Sequence, residues 1–356
     1  MLSPRAMFLA LAATCTVVGG SAPAANTPQI GKPRPAPPGP TDVLPLPPAI
    51  YDSTLAIGGE DVDARKIRSR LAVDVHVNGN GPYKFVVDSG ADTSVVGLRI
   101  ARGLALPLGN PAVVNSMTAR HIVDRVKVAE LSVGSSKFRN LQLPALKEMD
   151  VGGDGLIGID ALVQQRLLMD FERKLIRVED GRVPFKPLPG EIVITAKRKR
   201  GQLILTAVKA AGLPLDAVID TGSEVTIGNT KLRDKLIRGN RDKFWKVEAT
   251  GVTGVTMEMQ MAVIGELQLG PVTLRNVPMA FADVPPFELF GLSDGPALLL
   301  GTDMLENFRR VSLDFRNRKV RFQLKRCGST GIILSTSLTR SFSRLSSNGG
   351  IDVCGG

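Results

Sequence analysis

Two short segments of the chain each end an apolar run with an aspartate and a glycine turn. Asp88 stands between "KFVV" and "SGADT", and Asp220 stands between "DAVI" and "TGSEV". Two such carboxyl groups a few ångströms apart cannot both ionise easily, so they share one proton. One can then take a proton from a water molecule while the other donates to a carbonyl oxygen. The residue types therefore predict acid–base hydrolysis at these two positions.

The residues after each aspartate suit the support of such a pair. Gly90 and Gly222 let the backbone turn tightly and approach a substrate closely. Ser89 and Thr221 place a hydroxyl at the same offset in each segment. A hydroxyl both donates and accepts hydrogen bonds, so we expect these two to join the halves of the molecule and to hold the acids.

The elements that must position the two segments occur twice. Each acid ends a predicted hairpin, within residues 66–90 and 201–222, and a predicted helix follows, within residues 98–106 and 229–238. Each half closes with an apolar run and a glycine, "GLIG" or "LLLG". A predicted amphipathic helix follows, and then a strand pair that turns at Asp-Phe. This repeat predicts an internal duplication of a mostly β unit.

The duplication sets the predicted domain organisation. We expect an N-terminal lobe in residues 53–187, a C-terminal lobe in residues 188–327 and an irregular tail in residues 328–356. Two similar lobes related by an approximate two-fold axis would bring Asp88 and Asp220 together at that axis.

The N-terminus is typical of an exported protein. A basic start, a short apolar stretch and small residues predict a signal peptide over residues 1–24, and residues 25–52 form a proline-rich linker. No later segment is predicted to span a membrane, so we expect a periplasmic or secreted protein. Lipid attachment at Cys15 is an open alternative. Cys327 and Cys354 could form a disulfide in an oxidising compartment.

Composition narrows the classes of function. The net charge is +11, but the densest basic run, "AKRKR", has no aromatic residues beside it to stack bases, so we expect no nucleic-acid partner. His76 and His121 are the only histidines, and no cysteine cluster accompanies them, so no metal site is predicted. "GDGLIG" would need a parallel βαβ unit to bind a dinucleotide, and the equivalent second-half segment, "GPALLLG", lacks the three glycines. "GLSDG" lacks the histidine that should follow a nucleophilic serine. We expect no cofactor.

The two acidic motifs, with "GLIG" and "LLLG", resemble those of the aspartic proteases. The nearest branch is the retropepsin-like proteins of bacterial envelopes, and the resemblance covers about residues 65–325. It implies a bilobal fold of two β-barrel-like lobes with short helices and a cleft between them. It also implies a catalytic dyad of Asp88 and Asp220 and a peptide or protein substrate. Two halves in one chain would make a monomeric endopeptidase, an intramolecular pseudo-dimer.

The resemblance extends to further residues and also has departures. Asp92 and Glu224 each lie four residues after a dyad acid, where the first would contact the substrate backbone; a solvated surface acid is the alternative. Flap candidates lie in residues 113–124 and 249–260. Neither has the tyrosine of pepsin-like flaps, and the first has no glycine, so we expect that one to be more rigid.

Two other interpretations of the sequence are open. The chain could be a catalytically inactive scaffold that binds peptides or envelope polymers, although two like charges at one point have no use in a pure binding module. Each half could instead pair with the opposite half of another chain, which would give a dimer with exchanged lobes.

Overall fold

A computed structural model describes most of the two predicted lobes. The described residues are 29–38, 41–44, 60–67, 70–134, 136–162, 165–185, 190–237, 244–325 and 333–336. The signal peptide and all three cysteines lie outside them, with half of the linker and most of the tail. The fold is mostly β, 54% strand and 11% helix, and forms two closed six-stranded barrels, which confirms the predicted fold class.

The described part of the first half holds twelve strands and two α-helices. In chain order they are β1 (Arg34–Pro35), β2 (Glu60–Ile67), β3 (Arg70–Val77), β4 (Asn80–Val87), β5 (Val95–Gly97), α1 (Leu98–Gly103), β6 (Ala112–Asn115), β7 (Arg120–Val123), β8 (Arg125–Val133), β9 (Ser136–Leu146), α2 (Glu148–Val151), β10 (Gly155–Ile157), β11 (Gln165–Asp170) and β12 (Leu175–Asp180).

The described part of the second half follows a similar order and holds three α-helices. Its elements are β13 (Glu191–Lys199), β14 (Gln202–Ala210), β15 (Leu213–Ile219), β16 (Ile227–Gly228), α3 (Thr230–Leu236), β17 (Trp245–Thr250), β18 (Thr256–Leu269), β19 (Val272–Phe281), α4 (Pro285–Leu289), β20 (Ala297–Leu300), α5 (Thr302–Leu305), β21 (Phe308–Asp314), β22 (Lys319–Leu324) and β23 (Ile333–Thr336).

The hairpins that lead to the two acids have the same turn. Asn78 and Gly79 join β3 to β4 with φ of 51° and 78°, and Ala211 and Gly212 join β14 to β15 with φ of 45° and 81°. Two consecutive positive φ angles define the type I′ turn, whose twist matches that of the flanking strands. The predicted hairpins are therefore confirmed, and an alanine accepts the left-handed conformation in the second one.

A sheet shared by both halves joins the lobes. Its antiparallel order is β2, β12, β11, β21, β22, β13, so each half contributes three strands. At its centre Leu168 lies opposite Ser312, and the pairing is symmetric about that point. Two ion pairs cross from β11 to β21, one buried and one partly buried. Arg166 bonds Asp314 at 3.2 Å, and Arg310 bonds Asp170 at 2.6 Å. The approximate two-fold axis therefore passes between these strands.

The helices that were predicted after the two closing glycines are wrong in length. A single 3₁₀ turn, Ile159–Ala161, follows the first glycine, and the four-residue α5 follows the second. The apolar residues that suggested longer helices belong to β11 and β21, where most side chains are buried on both faces of the sheet. The predicted helices after the acidic motifs are confirmed as α1 and α3.

The proline-rich arm borders the first flap candidate on both edges. Strand β1 pairs with β7, which makes a three-stranded sheet with β6. The amide of Ala36 donates to the carbonyl of Arg120 at 3.0 Å, and the amide of Val113 on β6 donates to the carbonyl of Leu44 at 3.1 Å. The Arg120 guanidinium also donates to the carbonyl of Pro37 at 2.8 Å. This hairpin is therefore held by the arm, a contact that its sequence did not indicate.

We predict that deletion of residues 29–44 will speed amide hydrogen exchange in β6 and β7. Each lost hydrogen bond contributes ~0.5–1.5 kcal/mol, so exchange should rise about tenfold or more. Hydrogen-exchange mass spectrometry of both proteins measures it, with β17 and its turn as the internal control. Equal exchange in the first hairpin would show that the arm does not hold it.

Candidate active site

Each acid is fixed at the end of a strand by a neighbouring parallel strand. Strand β4 runs beside β10, and the amide of Asp88 donates to the carbonyl of Ile157 at 2.9 Å. In the second half β15 runs beside β20, and the amide of Asp220 donates to the carbonyl of Leu300 at 3.0 Å. The apolar runs before the closing glycines therefore position the two aspartates in the same way.

Ser89 and Thr221 exchange hydrogen bonds across the axis. The amide of Ser89 donates to Oγ1 of Thr221 at 2.8 Å, and the amide of Thr221 donates to Oγ of Ser89 at 3.1 Å. Each hydroxyl then donates to a carbonyl of the opposite lobe. Oγ1 of Thr221 donates to Val87 at 2.9 Å, and Oγ of Ser89 donates to Ile219 at 3.0 Å. All four bonds are buried, so they fix the relative position of the strands that carry the acids.

The two carboxyl groups meet in the middle of this arrangement. Asp220 is hydrogen-bonded to the side chain of Asp88. Oδ1 of Asp88 accepts the amides of Gly90 and Ala91 at 2.7 and 3.0 Å. Oδ1 of Asp220 accepts those of Gly222 and Ser223 at 3.0 and 3.1 Å. Each Oδ1 is thus held by the backbone of its own turn, so Oδ2 is the oxygen left to bind water or substrate.

Glycine is required at both turns by close approach across the axis. A Cβ at Gly222 would overlap the carboxyl group of Asp88, and a Cβ at Gly90 would lie 2.6 Å from Oδ1 of Asp220. Neither carboxyl group can move away, because the backbone amides hold it. These glycines are needed because they carry no side chain and not because of their backbone conformation, since neither has a positive φ.

Burial raises the pKa of both acids. Desolvation is the largest cause for Asp88, the negative charge of Asp220 adds to it, and together they raise the pKa of Asp88 to about 7. Desolvation also raises the pKa of Asp220. The backbone amides and the nearby Arg70 guanidinium oppose these shifts by favouring the charged forms. The pair therefore keeps one proton into the neutral pH range.

A second pair of aspartates supports the turns from behind. Oδ1 of Asp160 accepts the hydroxyl of Ser94 at 2.8 Å, and Oδ1 of Asp303 accepts the hydroxyl of Thr226 at 2.7 Å. The same hydroxyls accept the amides of the two closing glycines at 3.1 and 3.0 Å. Desolvation raises the pKa of Asp160 and raises that of Asp303 to about 6. Sequence reasoning missed these residues, although each acid stands two residues after its glycine in both halves.

Asp92 and Glu224 line the cleft but pair with arginines of the opposite lobe. Arg200 bonds Asp92 at 3.0 Å, and Arg70 bonds Glu224 at 2.9 Å. Gln202 also donates to Asp92 at 2.7 Å. The alternative of a solvated surface acid is therefore wrong for Asp92, whose side chain is only 10% exposed. Contact of either acid with a substrate stays a prediction. Arg70 and Arg200 begin or join hairpin strands, a position that gave no signal in the sequence.

Both flap candidates are hairpins, and their tips meet above the acids. Oγ of Ser116 in the first lies 3.3 Å from Oγ1 of Thr253 in the second. The first turn closes without glycine because Oγ of Ser116 accepts the amide of Ala119 at 3.1 Å. Each tip also packs on the other lobe, with Met117 on the apolar cluster of the C-terminal lobe and Val252 on that of the N-terminal lobe.

The acids, the flaps and the paired arginines enclose one cavity of about 1150 Å³. Val95 and Leu156 line one side of it, and Val225 and Leu299 line the other. A space of this size fits an extended peptide segment better than a single small metabolite. In the described part of the chain no three His, Cys, Asp or Glu side chains are grouped to hold a metal ion. None of the helices described there is both long enough and apolar enough to cross a membrane.

Comparison with known proteins agrees with the geometry in both halves. Residues 73–164 match the sequence model of a family described as "gag-polyprotein putative aspartyl protease". Residues 206–304 match a second family model, described as "Aspartyl protease". Each match includes one acid, its turn and its closing glycine. No curated protein matches the chain.

We predict that Thr221→Ala will lower the free energy of unfolding by about 2–4 kcal/mol. The substitution removes two buried hydrogen bonds and leaves the amide of Ser89 and the carbonyl of Val87 without this partner. Thr221→Ser keeps the hydroxyl and should lose less than half as much. Urea unfolding of the three proteins measures the difference. Equal losses in both variants would contradict a role for the hydroxyl.

We also predict that Asp88→Asn will raise the melting temperature at about pH 8 but not at about pH 4. The folded state raises the pKa of Asp88 from 3.8 to about 7, so the wild type loses stability as the pH rises through that window. Asparagine does not titrate, and its amide oxygen still accepts the turn amides. Asp294→Asn, an exposed loop acid, is the control. An equal rise in melting temperature at both pH values would contradict the raised pKa of Asp88.

Proposed function

Because the chain belongs to the retropepsin-like aspartic proteases, we propose that it is an aspartic endopeptidase that hydrolyses peptide bonds with a water activated between Asp88 and Asp220. One observation carries the proposal. Two carboxyl groups in hydrogen-bonding contact lie at the floor of a peptide-sized cavity, with raised pKa values and with their backbones held by symmetric bonds.

The shared proton supplies the chemistry. The ionised carboxylate takes a proton from the water while the water oxygen attacks the carbonyl carbon, and the protonated carboxyl donates its proton to the carbonyl oxygen. A tetrahedral diol forms. The carboxyl that now holds the water's proton donates it to the amide nitrogen while the other carboxylate takes a proton from a hydroxyl of the diol, and the C–N bond breaks to release an amine and a carboxylic acid. The pair ends with one proton, as it began, so neither Asp88 nor Asp220 is consumed.

The cross-lobe bonds of Ser89 and Thr221 support catalysis by preorganisation. A shift of the two carboxyl groups by an ångström would misalign the water between them and the carbonyl above them. Because both hydroxyls bridge the lobes, the distance between the acids does not depend on the flexible parts of the cleft. Gly90 and Gly222 serve the same end by leaving room for the opposite carboxyl group.

The flaps would enclose the substrate. Their tips now pack on the apolar walls on both sides of the acids, so an entering peptide must displace Met117 and Val252 from those walls. Closure over the peptide would then exclude bulk water and strengthen the electrostatic interactions at the acids. The described residues of the arm border the first hairpin and not the second, so the second, with its glycines, would be the one that opens.

The proposed setting is outside the cytoplasm. The basic start, apolar stretch and small residues before residue 24 support export, and the proline-rich linker supports a spacer before the lobes. The sheet that joins the two halves within one chain supports a monomer. A scaffold without activity is the second candidate, favoured by the way the flap tips fill the cavity walls.

We predict that the mature chain cleaves a diverse peptide library between about pH 3 and 8 and that Asp88→Asn and Asp220→Asn each abolish cleavage. Loss of either acid removes the base or the proton donor, so the rate should fall at least about a thousandfold. Mass spectrometry of the products measures rate and cut sites. Asp294→Asn, prepared in the same way, is the control and should cleave like the wild type.

Two outcomes would contradict the proposal. Cleavage that survives in either dyad variant would place the activity elsewhere. Folded wild-type protein that cleaves nothing, also after deletion of residues 1–44, would favour the inactive scaffold.

A further inference from the structure

The two ends of the cavity differ, although the two-fold axis makes them equivalent. Helix α2 follows β9, which runs parallel to β5, and α4 follows β19, which runs parallel to β16. The two helices therefore hold corresponding places, one at each end. The α4 end presents Pro286, Leu289 and Phe290 to the cavity, and the α2 end presents Glu148, Met149 and Asp150.

The other acids at the α2 end are neutralised. Glu148 accepts the amide of Arg99 at 2.6 Å and lies 3.5 Å from its guanidinium. Asp154 bonds the same guanidinium at 3.3 Å and accepts the amide of Lys84 at 2.9 Å. A charged group on a substrate would therefore have to compete with these bonds.

Asp150, in contrast to Glu148 and Asp154, is not paired with a described arginine or lysine. Among the residues that the structure describes, no arginine or lysine lies within 4.0 Å of its carboxylate. Arg70, which donates to the carbonyl of Val151 at 3.0 Å, is held by Glu224 at 2.9 Å. Lys147 is exposed at the start of the helix and forms no ion pair with Asp150. The half-buried carboxylate of Asp150 thus contributes a net negative charge to this end.

The carboxylate also lies directly beneath the tip of the second flap. A Cβ at Gly254 would come within 2.8 Å of Oδ2 of Asp150, so the turn of the flap and this carboxylate lie very close together. Val252 in the same turn packs on a cluster that includes Val151. A peptide enclosed by this flap must pass beside Asp150, and the flap would then shield the carboxylate from water.

We propose that Asp150 makes this end of the cleft select a lysine or arginine side chain of the substrate, while the α4 end accepts an apolar one. The inference rests on the proposed peptidase function and adds a determinant of specificity to it. A neutral side chain would leave a desolvated carboxylate without a partner, which is costly, whereas a cation would pair with it. The cavity-lining residues of the α4 end, Pro286, Leu289 and Phe290, carry no charge, so that end suits an apolar side chain.

The test compares matched peptides that differ at one position. Each carries lysine, norleucine or glutamate in turn at every position around one scissile bond, because norleucine keeps most of the lysine stem without its charge. For the wild type, lysine should exceed norleucine in kcat/KM by about fivefold at one position on one side of the cut, the size of a strong, partly exposed ion pair. Asp150→Asn should bring that ratio to about one, and Asp150→Lys should favour glutamate at the same position.

The control is Glu288→Gln, which removes the exposed acid of α4 that does not line the cavity and should leave the ratio unchanged. The same peptides are also tested for binding to Asp88→Asn by fluorescence anisotropy, with and without Asp150→Asn. Cleavage without a basic preference, or with one that survives Asp150→Asn, would overturn the inference and leave the peptidase proposal intact. If no peptide is cleaved, the peptidase proposal fails, and the anisotropy ratio alone decides the role of Asp150. In that case the inference about Asp150 would be overturned if lysine and norleucine peptides bound equally well or if neither bound.

Discussion

Two carboxyl groups that repel each other when both are ionised must be held in contact, and the rest of the structure depends on that constraint. Each acid is held by two amides of its own turn and by a parallel strand behind it. The hydroxyls of Ser89 and Thr221 then tie the two turns together. Below them, the shared sheet and its crossed ion pairs prevent the lobes from separating. Because so many bonds oppose separation, the repulsion is relieved by a retained proton, which is the property that hydrolysis needs.

The two halves are symmetric around the acids but differ in the flaps and in the helices at the ends of the cleft. The bonds that hold the two acids repeat in both halves, whereas the upper parts of the cleft differ. The first flap is bordered by the N-terminal arm and closes its turn with a serine, whereas the second closes with glycines and makes no contact with the described residues of the arm. Helix α2 is acidic where α4 is apolar. A peptide has different side chains on each side of the cleaved bond, so an asymmetric cleft over a symmetric dyad can orient it.

The sequence was sufficient to predict the parts that repeat. The hairpins, the acids and the helices α1 and α3 could be read because each appeared twice with the same spacing. The helices after Gly158 and Gly301 were predicted too long, since β11 and β21 are buried on both faces, and consecutive apolar residues such as Leu167, Leu168 and Met169 lack the alternation that marks a half-buried strand. Arg70, Arg200 and the arm pairing could not be predicted, because they depend on contacts between residues far apart in the chain. The domain boundaries, including the one near residue 188, stay predictions.

The central claim is that Asp88 and Asp220 share one proton at neutral pH, and carboxyl ¹³C NMR tests it most directly. The chain is labelled at its aspartate carboxyl carbons, and the two resonances are assigned with Asp88→Asn and Asp220→Asn. A titration from about pH 3 to 9 should show two separated steps sensed by both residues, the upper one near neutrality. In each asparagine variant the remaining acid should titrate in one step. Two independent steps near about pH 4 would show that the carboxyl groups do not share a proton and would contradict the account.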